Sequence, residues 1–157
     1  MTTPLRSLAE RIRNELVELE RVLERLQEAW QRSRHSGDDF YLDSVALNLH
    51  GFYSGIERIF ERLAETIDGN LPTGENWHQA LLVQMTREVA GVRPAVISLD
   101  TCQRLNEYRG FRHVVRNVYT FHFDTGKLEK LVVGAGDTFA QVRVELLAFA
   151  DFLDVQK

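Results

Sequence analysis

Apolar residues recur at every third or fourth position along most of this chain, a spacing typical of helices that bury one face. The first stripe predicts a long helix that begins at Thr3-Pro4, since threonine caps helices well and proline suits their first turn. A second helix is predicted from residue 40 to about residue 67, after the turn Ser36-Gly37-Asp38-Asp39. The positions expected to be buried are Leu5, Leu8, Ile12, Leu16, Leu19, Leu23, Leu26 and Trp30, followed by Val45, Leu49, Phe52, Ile56, Ile59, Phe60, Leu63 and Ile67.

Turn-forming residues divide the second half of the chain into shorter helices. A loop at residues 68–76 precedes a third helix at residues 77 to about 88, and Gly134-Ala135-Gly136 can bend or interrupt the last one. The predicted caps of the third, fourth and last helices are Asn76, Ser98, and Asp124 or Thr125. No alternating β pattern of useful length is present. The sequence therefore predicts an all-α fold in a single domain over residues 1–157, a mostly antiparallel bundle of four to five helices.

Several residues inside this pattern are interpreted as packing groups. His50 and Tyr53 lie on the buried stripe of the second helix, where a satisfied core histidine and a packed tyrosine are the common outcome. Trp77-His78 begins the third helix as a core anchor followed by a partly exposed histidine. Gly51 and Gly55 are four residues apart, which allows another helix to approach closely.

Composition and charge narrow the class of protein. The chain is 44% hydrophobic and 27% charged, as in an ordinary globular domain. A net charge of −4 argues against coating nucleic acid through bulk charge but leaves room for a local basic site. The single cysteine, Cys102, excludes an internal disulfide and a cysteine-based zinc cluster. With no N-terminal apolar segment and no long apolar run, a cytoplasmic protein without membrane contact is expected.

A row of arginines in the fourth predicted helix is the strongest candidate for chemistry. Its members follow one another at helical spacings and share one face: Arg109, Arg112, Arg116 and Tyr119. His113 and Asn117 form a neighbouring stripe. Guanidinium groups match the planar, multidentate geometry of phosphate, so the three arginines are candidates for RNA binding. The alternative is a solvated or ion-paired face.

Other kinds of catalytic site find no support in the sequence. Gly134-x-Gly136 lacks the lysine and the preceding strand of a phosphate-binding loop, and Asp38-Asp39 is a helix start. No histidine pair has the spacing of zinc ligands, so neither a metal nor a cofactor is predicted. Arginine with histidine fits the cleavage of RNA by its own 2′-hydroxyl. Histidine moves protons near neutral pH, and arginines stabilise the doubly charged phosphorane.

The arginine row resembles the motif of the HEPN superfamily and, within it, of the HepT-like toxins of prokaryotic toxin–antitoxin pairs. Their signature is an arginine, a polar residue, three further residues, a histidine, one residue and a tyrosine. Arg112, His113 and Tyr119 match its arginine, polar and tyrosine positions. The resemblance covers about residues 40–131, through the segments Tyr41-Leu42-Asp43-Ser44-Val45-Ala46, Leu49-His50-x-Phe52-Tyr53, Gly55-Ile56-Glu57-Arg58-Ile59-Phe60, Leu71-Pro72-x-Gly74-x-x-Trp77-His78 and Leu81-Leu82-x-Gln84-Met85.

This resemblance implies a HEPN-like helical bundle that forms a homodimer, so that two copies of the motif line one cleft and cleave RNA without a metal ion. It also implies a partner, a small MNT-type nucleotidyltransferase antitoxin that inactivates the toxin by transferring AMP to the motif tyrosine. In this chain that tyrosine is Tyr119.

The chain departs from the signature at one position, because Asn117 stands where the family has its histidine. An amide can hydrogen-bond a phosphate but cannot act as an acid or base near pH 7. Two histidines are candidates to replace it. His113 lies one turn earlier on the same stripe, and His122 follows Arg116 at a looser arginine–polar–histidine spacing, which favours His122.

The candidate catalytic set is therefore Arg112, His113, Arg116, Asn117 and His122. Three functions stay open at this point. The chain is a ribonuclease toxin, a degenerate module that pairs with a nucleotidyltransferase without cutting RNA, or a helical scaffold whose arginine row is ion-paired.

Overall fold

The computed structural model describes residues 4–117 and 124–156, without the side chains of residues 113 and 115–117. The described residues form α1 (Pro4–Ser36), α2 (Phe40–Leu63) with a π-helical turn at its end (Ala64–Asp68), α3 (Trp77–Met85), α4 (Leu99–Asn117) and α5 (Thr125–Asp154). Within these ranges the only β pairing is an isolated bridge between Val89 and Arg93. The predicted all-α bundle is confirmed. In the same part of the chain, every helix is too short or too polar to cross a membrane.

The long helices pack around one core. α1 packs against both α2 and α5, and α4 lies against α2 and α5. The predicted buried stripes are confirmed: Leu8, Ile12, Leu16, Leu19, Leu26 and Trp30 of α1 and Val45, Leu49, Phe52, Ile56, Ile59, Phe60 and Leu63 of α2 are buried, while Leu5, Leu23 and Ile67 are half-buried against them. Each fully buried aliphatic or phenylalanine side chain of these stripes stabilises the fold by roughly 1.5–3 kcal/mol.

Side chains cap two helices where the sequence predicts it. At the start of α4 the N–H of Thr101 donates to Ser98 Oγ at 3.1 Å. At the start of α5 the Asp124 carboxylate accepts hydrogen bonds from two N–H groups of the first turn. Each cap contributes about 1 kcal/mol, because it satisfies donors that have no partner inside the helix. Asn76 precedes α3 as predicted, but within the described residues its side chain makes no capping hydrogen bond.

The ends of two helices differ in detail from the prediction. The α-helical part of α2 ends at Leu63, and the π-helical turn continues to Asp68, one residue past the predicted end, before Gly69 reverses the chain at a φ of +63°. Helix α3 ends at Met85, three residues before its predicted end at about residue 88. The carbonyl of Met85 instead accepts the N–H groups of Val96 and Ile97 at 2.8 and 3.1 Å, which folds the following segment back onto the helix.

Helix α5 runs without a break through Gly134-Ala135-Gly136, so the predicted interruption does not occur. Ala135 is fully buried, and a methyl group at Gly134 would lie 3.6 Å from the hydroxyl of Tyr108. That hydroxyl donates to the Leu131 carbonyl of α5 at 2.7 Å. A methyl group at Gly134 would therefore be in ordinary van der Waals contact, and one at Gly136 would meet no described atom within 4 Å, so the packing of α5 does not require either glycine.

Gly51 and Gly55 of α2 form a matched pair for substitution. A methyl group at Gly55 would lie 2.6 Å from Leu19 Cδ2 in α1, whereas one at Gly51 meets no described atom within 4 Å. We expect Gly51→Ala to raise the free energy of unfolding by roughly 0.5–1 kcal/mol through helix propensity. Gly55→Ala should be at least about 1 kcal/mol less stable than Gly51→Ala, because Leu19 must move within a packed core. Urea denaturation measures the difference, and equal stabilities would contradict the close helix approach.

A buried ion pair fastens the segment between α2 and α4. The Arg93 guanidinium donates to both carboxylate oxygens of Asp68, at 2.6 and 2.8 Å, and the two side chains are 0% and 6% exposed. The same guanidinium also donates to the carbonyls of Gln84, Arg87 and Pro94 at 2.8–3.2 Å. This network closes the loops on both sides of α3 and thereby fixes where α3 lies.

Candidate functional site

Three helices contribute one side chain each to a polar cluster around the arginine row. Arg112 comes from α4, His78 from the first turn of α3, and Glu57 from the C-terminal half of α2. Arg112 Nη1 lies 3.1 Å from His78 Nε2. The other ring nitrogen, His78 Nδ1, lies 2.7 Å from Glu57 Oε2. The cluster is thus a chain of two hydrogen bonds that runs from guanidinium to imidazole to carboxylate.

The neighbours of His78 determine its tautomer. A guanidinium has only donors, so Nε2 must present its lone pair to Arg112. The ionised Glu57 carboxylate has only acceptors, so Nδ1 must carry the proton and donate it. In this arrangement the imidazole is neutral and its basic nitrogen faces the arginine of the motif.

Packing holds the histidine ring in place. The Trp77 and His78 rings are stacked, with centroids 3.6 Å apart and an interplanar angle of 31°. Trp77 itself packs against the hydrophobic core. The His78 side chain is 20% exposed and that of Glu57 is 5% exposed. A carboxylate this deeply buried is stable only when it is hydrogen-bonded, and His78 supplies that bond.

Further ionisable groups surround this chain of hydrogen bonds. Burial raises the pKa of the Tyr53 phenol far above its usual value, and the negative charge of Glu57 raises it further, while the charges of Arg109 and Arg112 lower it. Tyr53 is therefore neutral at physiological pH. Burial also raises the pKa of Glu61, as do Glu57 and Glu65, against the opposing effect of His78 and Arg112.

Two buried polar atoms at this site lack hydrogen-bond partners among the described residues, the Tyr53 hydroxyl and Arg112 Nε. Unsatisfied donors of this kind are rare in folded proteins and mark strain or a place where a ligand binds. Among the described residues, the Arg112 guanidinium bonds His78 through Nη1, and its buried Nε has no partner.

Arg109 lies one helical turn before Arg112, and both are half-buried. Arg109 Nε donates to the side-chain oxygen of Asn106 at 2.7 Å. Neither guanidinium forms an ion pair with a carboxylate in the part of the chain that the structure describes. For these two arginines, an ion-paired scaffold face is therefore not supported.

Only part of the predicted site can be located. Arg109 and Arg112 come together on α4. His113, Arg116 and Asn117 belong to the last turns of α4, but their side chains are outside what the structure describes. Tyr119 and His122 lie outside the described residues altogether. No group of three or more His, Cys, Asp or Glu side chains is arranged to hold a metal ion in the described ranges.

Sequence reasoning missed the contact of His78 and Glu57 with the arginine row. The interpretation of Trp77-His78 is right that the tryptophan is anchored and the histidine partly exposed, but it does not anticipate the contact with Arg112. One signal was present in α2. Tyr53, Glu57 and Glu61 follow one another at four-residue intervals beside the apolar stripe, which places three ionisable groups on one helical face.

A separate groove of about 780 Å³ lies along α3 and the turn that follows it. It is lined in part by Asp68, Gln84 and Arg93, whose side chains are hydrogen-bonded to one another or to backbone carbonyls. Neither Arg112, His78 nor Glu57 lines it. The groove is therefore distinct from the polar cluster and adds nothing to its chemistry.

Comparison with known proteins identifies the family. Residues 44–153 match the sequence model of a family described as HepT-like protein. The matched segment includes Glu57, His78 and Arg112, together with α3, α4 and most of α2 and α5. No curated protein and no solved structure matches the chain significantly. Because the family match spans well over half of the sequence, the chain belongs to the HepT-like family of the HEPN superfamily.

Proposed function

We propose that this protein is a metal-independent ribonuclease of the HEPN type that acts as the toxin of a toxin–antitoxin pair. The observation that carries the proposal is the contact between Arg112 and His78 Nε2 in a HepT-like protein. It joins a permanent cation, which can bind phosphate, to a nitrogen base that works near neutral pH.

The chemistry follows from these two groups. Arg112 binds the scissile phosphate through a charge-assisted hydrogen bond and stabilises the additional negative charge of the phosphorane. Arg109, one turn earlier, adds a second cation on the same helix, and Arg116 is proposed as the third RNA-binding arginine. The 2′-hydroxyl attacks its own phosphate, so the products end in a 2′,3′-cyclic phosphate and a 5′-hydroxyl.

The test is incubation of the purified protein with RNA in the presence of EDTA. We expect cleavage to persist and the new 3′ ends to carry a cyclic phosphate, because an internal hydroxyl rather than metal-bound water is the nucleophile. Products with simple 3′-hydroxyl ends, or cleavage that needs a divalent ion, would contradict the mechanism.

A second function has one observation in its favour, because Asn117 occupies the histidine position of the motif. In this alternative the protein is a degenerate HEPN module that pairs with a nucleotidyltransferase without cutting RNA. The assay above separates the two functions. A wild-type protein that binds RNA or its partner but leaves RNA intact would establish the second.

The proposed assembly is a homodimer in which two copies of α4 bring their Arg112 residues to one cleft. RNA then meets arginines from both copies. Light scattering at micromolar concentration should give the mass of two chains. A monomer under these conditions would contradict the shared cleft.

The proposed antitoxin is an MNT-type nucleotidyltransferase that attaches AMP to Tyr119. Helical spacing of seven residues would put Tyr119 within about 20° of Arg112. The phosphate of the attached AMP would then bind Arg112 in place of the RNA phosphate. We expect Tyr119→Phe to keep its cleavage activity and to escape neutralisation by the partner. Mass spectrometry of the co-expressed pair should place AMP on the peptide that contains Tyr119. A label elsewhere would refute this mode of control.

A further inference from the structure

We propose that His78 is the base that removes the proton from the RNA 2′-hydroxyl, and that Glu57 is the positioning residue that fixes its reactive tautomer. This inference rests on the proposed ribonuclease function. Asn117 cannot perform this proton transfer, and the inference assigns it to a histidine of another helix. The motif itself does not contain this residue.

The first step of the argument is the direction of the lone pair. Glu57 holds the proton of His78 on Nδ1 through a bond of 2.7 Å, so the basic nitrogen is Nε2. Stacking on Trp77 restricts rotation of the ring. In the free protein Nε2 accepts the Arg112 Nη1 hydrogen at 3.1 Å, and its lone pair therefore points at the phosphate-binding group.

The second step is a competition for Arg112. A phosphate oxygen carries negative charge, so it attracts the guanidinium by charge and can accept two parallel hydrogen bonds from it, whereas the imidazole is neutral and accepts one. When RNA arrives, its phosphate draws Nη1 away from the neutral imidazole. Because the two groups start 3.1 Å apart, the released Nε2 lies beside the bound phosphate. The 2′-hydroxyl of the same nucleotide lies next to that phosphate, so substrate binding itself exposes the base.

The reaction is balanced without any added reagent. Nε2 takes the proton of the 2′-hydroxyl, and the electron pair left on O2′ forms the new bond to phosphorus. The P–O5′ bond breaks, its electron pair stays on O5′, and O5′ takes a proton from water. The imidazolium then returns its proton to the resulting hydroxide. Glu57 stabilises the imidazolium while it exists, since its carboxylate is buried and little screened by solvent.

Charged groups of two other helices act on the imidazole. Glu57 and Glu61 belong to α2, and Arg112 belongs to α4. Glu57 contacts one ring nitrogen of His78, and Arg112 contacts the other. When Arg112 binds the RNA phosphate, the positive charge of its guanidinium is partly neutralised. This happens at the stage when the imidazole has to accept a proton.

The test compares His78→Gln and His78→Ala with the wild type. Each should lower the rate of RNA cleavage by roughly 100-fold or more, the usual contribution of a general base. Binding of an RNA with 2′-deoxy nucleotides, which cannot be cut, should not weaken, because His78 competes with the phosphate for Arg112. Added imidazole should restore part of the activity of His78→Ala, because it supplies the missing base. The matched control is His35→Gln at the exposed end of α1, which should cleave at the wild-type rate.

The outcomes separate this inference from the proposed function. An active wild type with an equally active His78→Gln overturns the role of His78 alone. Loss of cleavage together with loss of RNA binding, and without rescue by imidazole, assigns His78 a structural role and overturns the inference too. A wild type that does not cut RNA overturns the proposed function, and the inference falls with it.

Discussion

Replacing Arg112 with alanine should lower the rate of RNA cleavage by roughly 10²–10³-fold, the usual cost of removing one group that stabilises transition-state charge. Among the described residues, Arg112 joins the motif to the imidazole, through the bond to His78 Nε2. Its loss removes the phosphate-binding cation and leaves His78 without its donor. RNA binding should weaken together with the rate, since the same guanidinium contacts the ground-state phosphate.

The measurement is the single-turnover cleavage rate with the dissociation constant of an uncleavable RNA. Arg104→Ala is a matched control, because Arg104 lies on the same helix but is exposed and paired with Asp100 at 3.1 Å. Arg104→Ala should keep the wild-type cleavage rate and dissociation constant, and it should lower the free energy of unfolding by less than about 1 kcal/mol. The cleavage rate of Arg112→Lys should lie between those of the wild type and Arg112→Ala, because lysine keeps the charge but cannot bind phosphate bidentately. Wild-type rates in Arg112→Ala would remove the basis of the proposed mechanism.

The largest effect on stability is expected from Arg93→Ala, which should lower the free energy of unfolding by about 3–5 kcal/mol. The substitution leaves the Asp68 carboxylate buried without its partner and frees three backbone carbonyls. Urea denaturation followed by circular dichroism measures the change. Arg32→Ala is the control, since its ion pair with Glu28 is well exposed and should be worth less than about 1 kcal/mol. A loss for Arg93→Ala no larger than that of the control would refute the prediction.

The same ion pair predicts how stability depends on pH. Burial raises the pKa of Asp68, but hydrogen bonds from Arg93 and Gln84 and the charge of Arg93 outweigh burial, so the net pKa is below its ordinary value of 3.8. A carboxyl with a lowered pKa in the folded state stabilises the protein above its unfolded pKa, and this contribution is lost as the pH falls through the folded value. The wild type should therefore lose stability below about pH 4 more steeply than Asp68→Asn.

Local patterns predicted the helices better than they predicted the site. Hydrophobic spacing located α1 and α2, and capping chemistry located the starts of α4 and α5 at Ser98 and Asp124. These features depend on residues within one or two helical turns. The same spacing rule placed Arg109 and Arg112 on one helix, which the structure confirms.

What the sequence did not predict depends on residues far apart in the chain. Glu57 and His78 are 21 residues apart, and His78 and Arg112 are 34 apart, so no helical periodicity links them. Their contact exists because α2, α3 and α4 converge, and α3 is held in place by the Asp68–Arg93 pair. The early end of α3 has a similar cause, since the carbonyl of Met85 binds a segment more than ten residues later.

The contact between the Trp77 and His78 rings would make the proposed RNA binding visible to fluorescence spectroscopy. Indole emission is quenched by a contacting imidazole, most strongly when that imidazole is protonated, and the two rings are only 3.6 Å apart. Withdrawal of Arg112 from His78 would therefore alter the light emitted by Trp77 without any attached dye. The only other tryptophan, Trp30, lies in α1 under the guanidinium of Arg34. A Trp30→Phe variant would therefore report the arrival of RNA at the imidazole in real time, before any bond is cut.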